Sequence, residues 1–404
     1  MTETAASVII ASRHRPRDLL KCLKALEFQH HRNFEVVVVS DPSGCAAIKD
    51  STFSGRVKLI PFDEPNISRA RNTGLERAAA DIVAFIDDDA IAEPTWLIRL
   101  IAPFEDQTVL GTTGYARGRN GISYRWTGEY IQPNGDVVPR NPAAPERYVH
   151  GADPVLMAIG MNCAFRASAL SKVGGYDPNF HYGLDDADLS MRLAELEGAT
   201  ILVPLAQVQH ISGPNETRST AQVPTSMIEH GASFGWWSKK YDRSLDEFYA
   251  IAKKLWRDSI DPRLVRGDLE PKSARQLAEG FAEGFKIGQS RTRIEHRLEP
   301  AQAPFLRYSE KLKPNNLKVV PGYVWNRQDL YQRARDLARQ NTVVTVMSMS
   351  PTSLFHRRFF HEDGFWVQSG GIYGKSDRKD PLFKWQTLAE RVQREAVALS
   401  VTRP

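Results

Sequence analysis

Two separate groups of aspartate are the residues through which this sequence could do chemistry. The first stands in "DIVAFIDDDAIAEPTWL", where the apolar run Ile82-Val83-Ala84-Phe85-Ile86 ends in Asp87, Asp88 and Asp89. Adjacent carboxylates repel one another, so a cation or a set of donors has to offset their charge. Alternate residues at a strand end point the same way, which lets Asp87 and Asp89 face a common ion while Asp88 faces elsewhere. Mg2+ and Mn2+ suit such a pair, because they take one or two carboxylates and leave positions for phosphate and water. A solvated acidic turn is the plainer alternative; the buried strand immediately before the triplet favours the metal. The second group is Asp185, Asp186 and Asp188 in "GGYDPNFHYGLDDADLSMRL". These acids open an amphipathic helix with Leu189, Leu193 and Leu196 on one face, where the helix dipole favours negative charge.

The elements that must position these acids read as an α/β pattern. "SVIIAS" and "NFEVVVVSD" are buried strands separated by a helix over "RPRDLLKCLKALEFQ", and "VKLIPF" is a third strand. "NISRARNTGLERAAA" (66–80) is an expected helix, with Asn66 or Ser68 as its N-cap. This alternation predicts a mostly parallel sheet with right-handed crossovers. Ligands of open sheets sit beyond the carboxyl ends of the strands, where Ser12, Asp41 and the Asp87–Asp89 triplet all stand. From about Tyr115 to Val155, frequent Pro and Gly predict long loops, one of them over the site. "ATILVPLAQVQHISG" is a further strand leading to His210. Beyond Ser212 the chain becomes helix-rich to about Gln289. The segment 300–316 then precedes a region with a helix ("RQDLYQRARDLARQ") and a strand ("TVVTVMSM"). The expected division is 1–215 as the catalytic domain and 216–404 as a second region, helical over 216–290 and small mixed α/β over 300–404.

At 404 residues, 42% hydrophobic and 25% charged, the chain can bury a large core. Its net charge of +5 fits an anionic substrate or membrane face and gives no reason to invoke nucleic acid. Cys22, Cys45 and Cys163 lack metal-ligand spacing, as in a reducing compartment. No apolar run approaches the roughly 18 residues of a spanning helix, and the start of the chain lacks signal-peptide design. A cytoplasmic protein is expected, with the inner membrane face as a site of peripheral contact. "FGWWSKKYDR" supplies one candidate for that contact, Trp236 and Trp237 beside Lys239 and Lys240; core packing explains the same residues equally well.

The stretches "SVIIASRHRPRDLLKCLKALEFQHHRNFEVVVVSDPSG", "NISRARNTGLERAAADIVAFIDDDAIAEPTWL" and "GGYDPNFHYGLDDADLSMRL" together resemble family 2 glycosyltransferases of the GT-A fold, over about residues 5–215. The resemblance implies an inverting, metal-dependent transfer of a sugar from a nucleotide diphosphate to a hydroxyl acceptor, in polysaccharide or glycolipid synthesis. It assigns Asp87 and Asp89 to Mn2+ or Mg2+, with His210 as a further ligand or a structural histidine, and Asp88 to the donor's ribose or sugar. Ala11, Ser12, Asp41, Arg71 and Asn72 would line the nucleotide pocket, although Ser40 stands where the family usually has an acid. Asp186 would be the general base, with Asp185 beside it in place of the usual Glu, and Asn162 would lie on the acceptor side. Crowding among these acids raises proton affinity, which suits a base acting near neutrality.

A sugar nucleotidyltransferase is the main alternative, but "ASRHRPRD" lacks the glycines of a triphosphate-cradling loop. A nicotinamide-dependent dehydrogenase lacks its G-x-G-x-x-G. A non-catalytic nucleotide-sugar-binding module would be expected to have lost one acidic cluster, and both are present.

Overall fold

The computed structural model describes residues 3–132, 135–213, 216–298, 303–309 and 313–404. Of the expected connecting segment 300–316, residues 300–302 and 310–312 lie outside the described residues.

The chain opens as β1 (Ala6–Ser12), α1 (Pro16–Leu26), β2 (Phe34–Ser40), α2 (Pro42–Lys49), β3 (Lys58–Pro61), α3 (Ile67–Leu75) and β4 (Ile82–Ile86). The four strands are parallel in the order β3-β2-β1-β4, with Ile9 of β1 opposite Val37 and Phe85. Every residue of β2 and β4 is buried, because helices cover both faces; hence their uninterrupted apolar runs. Pro16 and Pro42 start α1 and α2, where a fixed φ and a missing N–H cost nothing. Helix α2 follows β2 directly, capped by Asp41. Asn66 caps α3, accepting from the Arg69 N–H at 3.0 Å. The helix expected to Ala80 stops at Leu75: the Ala79 and Ala80 N–H groups donate instead to Glu35 Oε1 (2.7 Å) and Ser7 Oγ (3.0 Å). Tertiary donors and acceptors override the Ala-rich propensity there.

There follow β5 (Ala90–Ala92), α4 (Trp96–Ile101), β6 (Val109–Arg117), β7 (Tyr124–Trp126), β8 (Glu129–Ile131), β9 (Val137–Pro139), β10 (Glu146–Val149), β11 (Val155–Leu156), β12 (Asn162–Arg166), α5 (Ala167–Val173), α6 (Asp185–Leu193) and β13 (Ala199–His210). The full sheet runs β10-β13-β6-β12-β4-β1-β2-β3, with β5 on β13 and β7 on β6. Strand β12 is antiparallel to β4 and β6, so it begins at the edge where β1, β2 and β4 end. The stretch expected as long loops instead forms β7 to β11, with β11-β8-β9 a small sheet of its own. Strands of two to four residues are too short to show a period in sequence.

Four helices come next: α7 (Ile228–Lys240), α8 (Leu245–Ser259), α9 (Asp261–Arg266) and α10 (Pro271–Ser290). Helices α7 and α10 meet backbone to backbone. A Cβ on Gly231 would lie 2.0 Å from the Phe281 carbonyl, and one on Gly284 would lie 1.9 Å from that of Ile228. Trp236 and Trp237 are only 4% and 2% exposed and belong to the main core, so the core reading holds and the anchor reading does not. The other large sheet, called the second sheet below, is ordered β14-β15-β17-β16 and is made of β14 (Asn315–Tyr323), β15 (Thr342–Ser350), β16 (Arg357–His361) and β17 (Phe365–Gly371); α11 (Arg327–Arg339) lies between β14 and β15, and α12 (Leu388–Ser400) is the last helix. No helix among the described residues is long and apolar enough to cross a membrane.

Buried polar ties join this part of the chain to the first sheet, among them Thr95 Oγ1 donating to the Thr402 carbonyl at 3.0 Å. Arg403 meets Glu93 in a fork, Nε to Oε2 at 2.6 Å and Nη2 to Oε1 at 2.7 Å. Near His210, Gln209 Nε2 donates to the Arg358 carbonyl (2.9 Å), and the Arg358 N–H donates to that of Asn120 (2.7 Å).

Candidate active site

The acidic triplet turns out to be partnered by several donors. Asp88 is fully buried; it accepts from Ser12 Oγ at 2.7 Å and pairs with Arg15 Nη2 at 2.8 Å. Burial pushes its carboxyl up, against the pull of Arg15. The structure therefore does not bring Asp88 to the cleft, where contact with a donor's ribose would require it. Asp89 accepts from Arg15 Nη1 at 2.7 Å and from the Gly213 N–H at 2.8 Å, and its Oδ1 lies 3.0 Å from His210 Nε2. Burial alone would raise Asp89, but His210 and Arg15 hold it well below the usual carboxylate range. Asp87 is partly exposed, with Oδ2 3.7 Å from His210 Nε2 and Oδ1 3.3 Å from Arg71 Nη2.

Sheet register explains why His210 arrives here. Strand β13 pairs antiparallel with β5, setting His210 against Ala90, and the Ile211 N–H donates to the Asp89 carbonyl. Ligand atoms of Asp87, Asp89 and His210 all lie within 4.8 Å of one another. Two carboxylate oxygens and one imidazole nitrogen form a donor set that suits a divalent ion such as Mn2+. Ser212 Oγ lies 3.1 Å from His210 Nδ1, the kind of outer contact that orients a ligating imidazole.

The second cluster faces the same cleft. Arg71, buried on α3, pairs through Nη1 with Asp185 while its Nη2 reaches Asp87. Its guanidinium also lies over the Tyr176 ring, 5.1 Å from the centroid. Burial and neighbouring Asp186 push the Asp185 carboxyl up to about 7, against the pull of Arg71. Asp186 is partly exposed; Oδ2 accepts from the Gly160 N–H at 3.1 Å and Oδ1 from the Ala187 N–H at 2.9 Å. Glycine at 160 leaves room for the guanidinium, since a Cβ there would lie 2.5 Å from Arg71 Nη2 in its present position. Asp188 turns away, paired with Arg192 Nη2 (2.7 Å) and accepting from Tyr241 OH (2.9 Å).

The remaining expected residues divide. Asp41 caps α2 at the end of β2, accepting from Ser43 Oγ (2.6 Å) and the Ser43 and His14 N–H groups (3.1 and 3.2 Å). These bonds outweigh burial and hold its carboxyl low. Ala11 and Ser12 end β1 beside it. Asn72 is turned inward: Nδ2 donates to the Tyr176 carbonyl (2.7 Å) and Oδ1 accepts from the Tyr176 N–H (2.8 Å), locking the "GGYD" turn onto α3. Asn162 is fully buried, donating to the carbonyls of Tyr115 and Ala206 (2.9 Å each) and accepting from Trp96 Nε1 (2.7 Å). The structure keeps it out of the cleft.

Two residues of the site were not expected from the sequence. Arg15 is one; "SRHRPRD" showed a basic cluster but not which arginine would turn inward. Glu129 of β8 is the other: burial first, then the nearby charge of Asp186, pushes its carboxyl up to about 7. No sequence signal marks a lone Glu in a Pro- and Gly-rich stretch.

Residues 7–174 match the family model for glycosyl transferase family 2. The pre-mycofactocin glycosyltransferase of Mycobacterium tuberculosis is 29% identical over 212 residues, 50% of this chain and 42% of that one. The glucosyl-dolichyl phosphate glucuronosyltransferase of Haloferax volcanii is 25% identical over 214 residues, 46% of this chain and 58% of that one. The chain thus spans about half the length of the curated relatives it matches. Among solved structures, GalNAc-T7 with UDP, GalNAc and Mn2+ is similar at 16% identity and a TM-score of 0.42, over 60% of this chain and 49% of that one. Residues 7–174 of this chain belong to glycosyl transferase family 2.

Proposed function

We propose that this chain is an inverting glycosyltransferase that uses a divalent cation to move a sugar from a nucleotide-diphosphate donor to a hydroxyl acceptor. The observation that carries this reading is the convergence of the two aspartate groups on one cleft, bridged by Arg71. Asp87, Asp89 and His210 would hold the ion, whose chemistry would be Lewis-acid charge toward the leaving diphosphate. Asp41, Ala11 and Ser12, at the ends of β1 and β2, would line the nucleotide pocket. Asp186 would take the acceptor's hydroxyl proton. The freed oxygen then forms its bond to the anomeric carbon as the bond from that carbon to the diphosphate breaks, with inversion. Asp185 and Arg71 would hold Asp186 in place, and Asn72 would act one step further out by fixing the Tyr176 turn.

A lipid-linked acceptor in glycolipid or polysaccharide synthesis is the favoured substrate class, since the Haloferax relative is named for a dolichyl phosphate substrate. The test is a thermal-shift screen of nucleotide sugars with Mn2+ or Mg2+, followed by transfer assays on the donor that stabilises. Stabilisation by a donor only with the ion, and transfer lost in Asp186→Asn, is the expected result. Transfer by Asp186→Asn at the native rate would refute the base assignment.

A further inference from the structure

The carboxyl end of the second sheet presents apolar side chains that the cleft does not use. Strands β14, β15 and β17 are parallel; at that end β14 runs into the short turn before α11, and β15 and β17 into loops. Trp325 follows β14 and is 65% exposed; Leu354 and Phe355 follow β15 at 63% and 64%; Leu382, Phe383 and Trp385 follow β17 at 68%, 54% and 78%. The last two loops are stitched into one surface: the Gly371 N–H donates to the Leu354 carbonyl (2.9 Å), Tyr373 to Thr352 (3.1 Å) and Lys384 to Tyr373 (3.0 Å). The Tyr373 and Trp385 rings stack at 5.1 Å, and Tyr323 and Trp325 at 4.4 Å. Single exposed hydrophobics are ordinary, but six large ones at one end of one sheet mark an interaction surface.

Charge identifies the occupant. Within 372–386 stand Lys375, Arg378, Lys379 and Lys384 against Asp377 and Asp380, and Asp380 is already paired with Arg394. We infer that these loops dock on an anionic lipid surface, with Leu, Phe and Trp entering the headgroup boundary and the basic residues meeting lipid phosphates. A glycan would find no hydrogen-bonding side chain at Leu354, Phe355, Leu382 or Phe383. A second copy related by a twofold axis would bring the same basic residues against one another. The sheet that carries these loops is tied to the first sheet next to His210: Arg358, opposite Gln368 in the middle of β17, accepts from Gln209 through its carbonyl and donates its N–H to the Asn120 carbonyl. Docking there would hold the cleft near the bilayer, where a lipid-linked hydroxyl is found.

Co-sedimentation with vesicles tests this without any sugar donor, so its outcome is separate from that of the transferase reading. The chain should partition onto phosphatidylcholine vesicles containing about a third phosphatidylglycerol, and weakly onto phosphatidylcholine alone. Leu382→Ser/Phe383→Ser and Lys375→Glu/Lys379→Glu/Lys384→Glu should each lower partitioning about tenfold or more, with thermal unfolding unchanged. Failure to bind the anionic vesicles, equal binding to both kinds, or variants that bind like the native chain would overturn the inference. So would a dimer seen by ultracentrifugation that Leu382→Ser/Phe383→Ser abolishes, or retention on polysaccharide in place of vesicles.

Discussion

Arg71 on α3 and Asp185 in the first turn of α6, 114 residues apart in sequence, form a buried ion pair that joins the two acidic groups. Removing one partner strands the other's charge. Arg71→Met should cost about 3–5 kcal/mol of stability. Arg71→Lys, which keeps the charge but cannot fork between Asp87 and Asp185, should fold more nearly normally yet lose activity. Urea denaturation alongside a transfer assay separates the two effects; an active Arg71→Lys would show that the fork is dispensable.

Asp186→Asn retains the shape of the side chain but has a single acceptor oxygen, so it keeps one of the two bonds that the Gly160 and Ala187 N–H groups donate to the carboxylate. Turnover should fall about a hundred- to ten-thousandfold, the range of a lost general base, while donor affinity stays within about twofold. Calorimetric donor binding and initial rates check both halves.

The ion site is testable without turnover. Asp89→Asn should weaken Mn2+ binding strongly, and Ser212→Ala, one contact further out, by about tenfold. Titration calorimetry with Mn2+ reads both directly. An affinity indifferent to Asp89 would move the ion elsewhere.

The Arg403–Glu93 fork predicts a long-range effect on stability. Glu93 is buried, and Arg403 keeps its carboxyl low despite that burial. Arg403→Ala leaves the carboxylate unpaired and should cost about 3–5 kcal/mol, whereas adding Glu93→Gln should recover part of the loss. Denaturant midpoints of the two singles and the double complete the cycle.

Two buried histidines should contribute a loss of stability in acid. Burial lowers both His230 and His356 from the ordinary 6.5 to about 4. As pH falls, the unfolded chain binds these protons first, so stability is full above about pH 6.5 and declines toward pH 4. Each histidine contributes a slope of at most about 1.4 kcal/mol per pH unit. Asp185 and Glu129, whose carboxyls are raised to about 7, act in the opposite sense over the same range, so the histidine contribution is read by difference: from pH 7 to pH 5 the urea midpoint of the native chain should fall relative to that of His356→Gln.

Much of the first half of the chain was legible because its signals are local. Apolar runs marked β1, β2 and β4, and the acids at their ends marked the cleft, since strand direction alone puts them there. What escaped depends on partners distant in sequence. Asn72 and Asn162 resemble ligand contacts in type, but backbone groups about 104 and 47 residues away claim them. Trp236 and Trp237 beside lysines suggested an interface until α10 and the core covered them. The aromatic loops of the second sheet carry no period at all, and only folding brings them to one end.

The buried attachments of the four-stranded sheet also govern how the molecule comes apart. Opening it uncovers Glu93 near α4 and releases Gln209 beside His210, so neither half can loosen while the other keeps its buried charges matched. Heating such a chain should give one cooperative endotherm in place of two, and a protease cutting between the halves would leave no durable fragment.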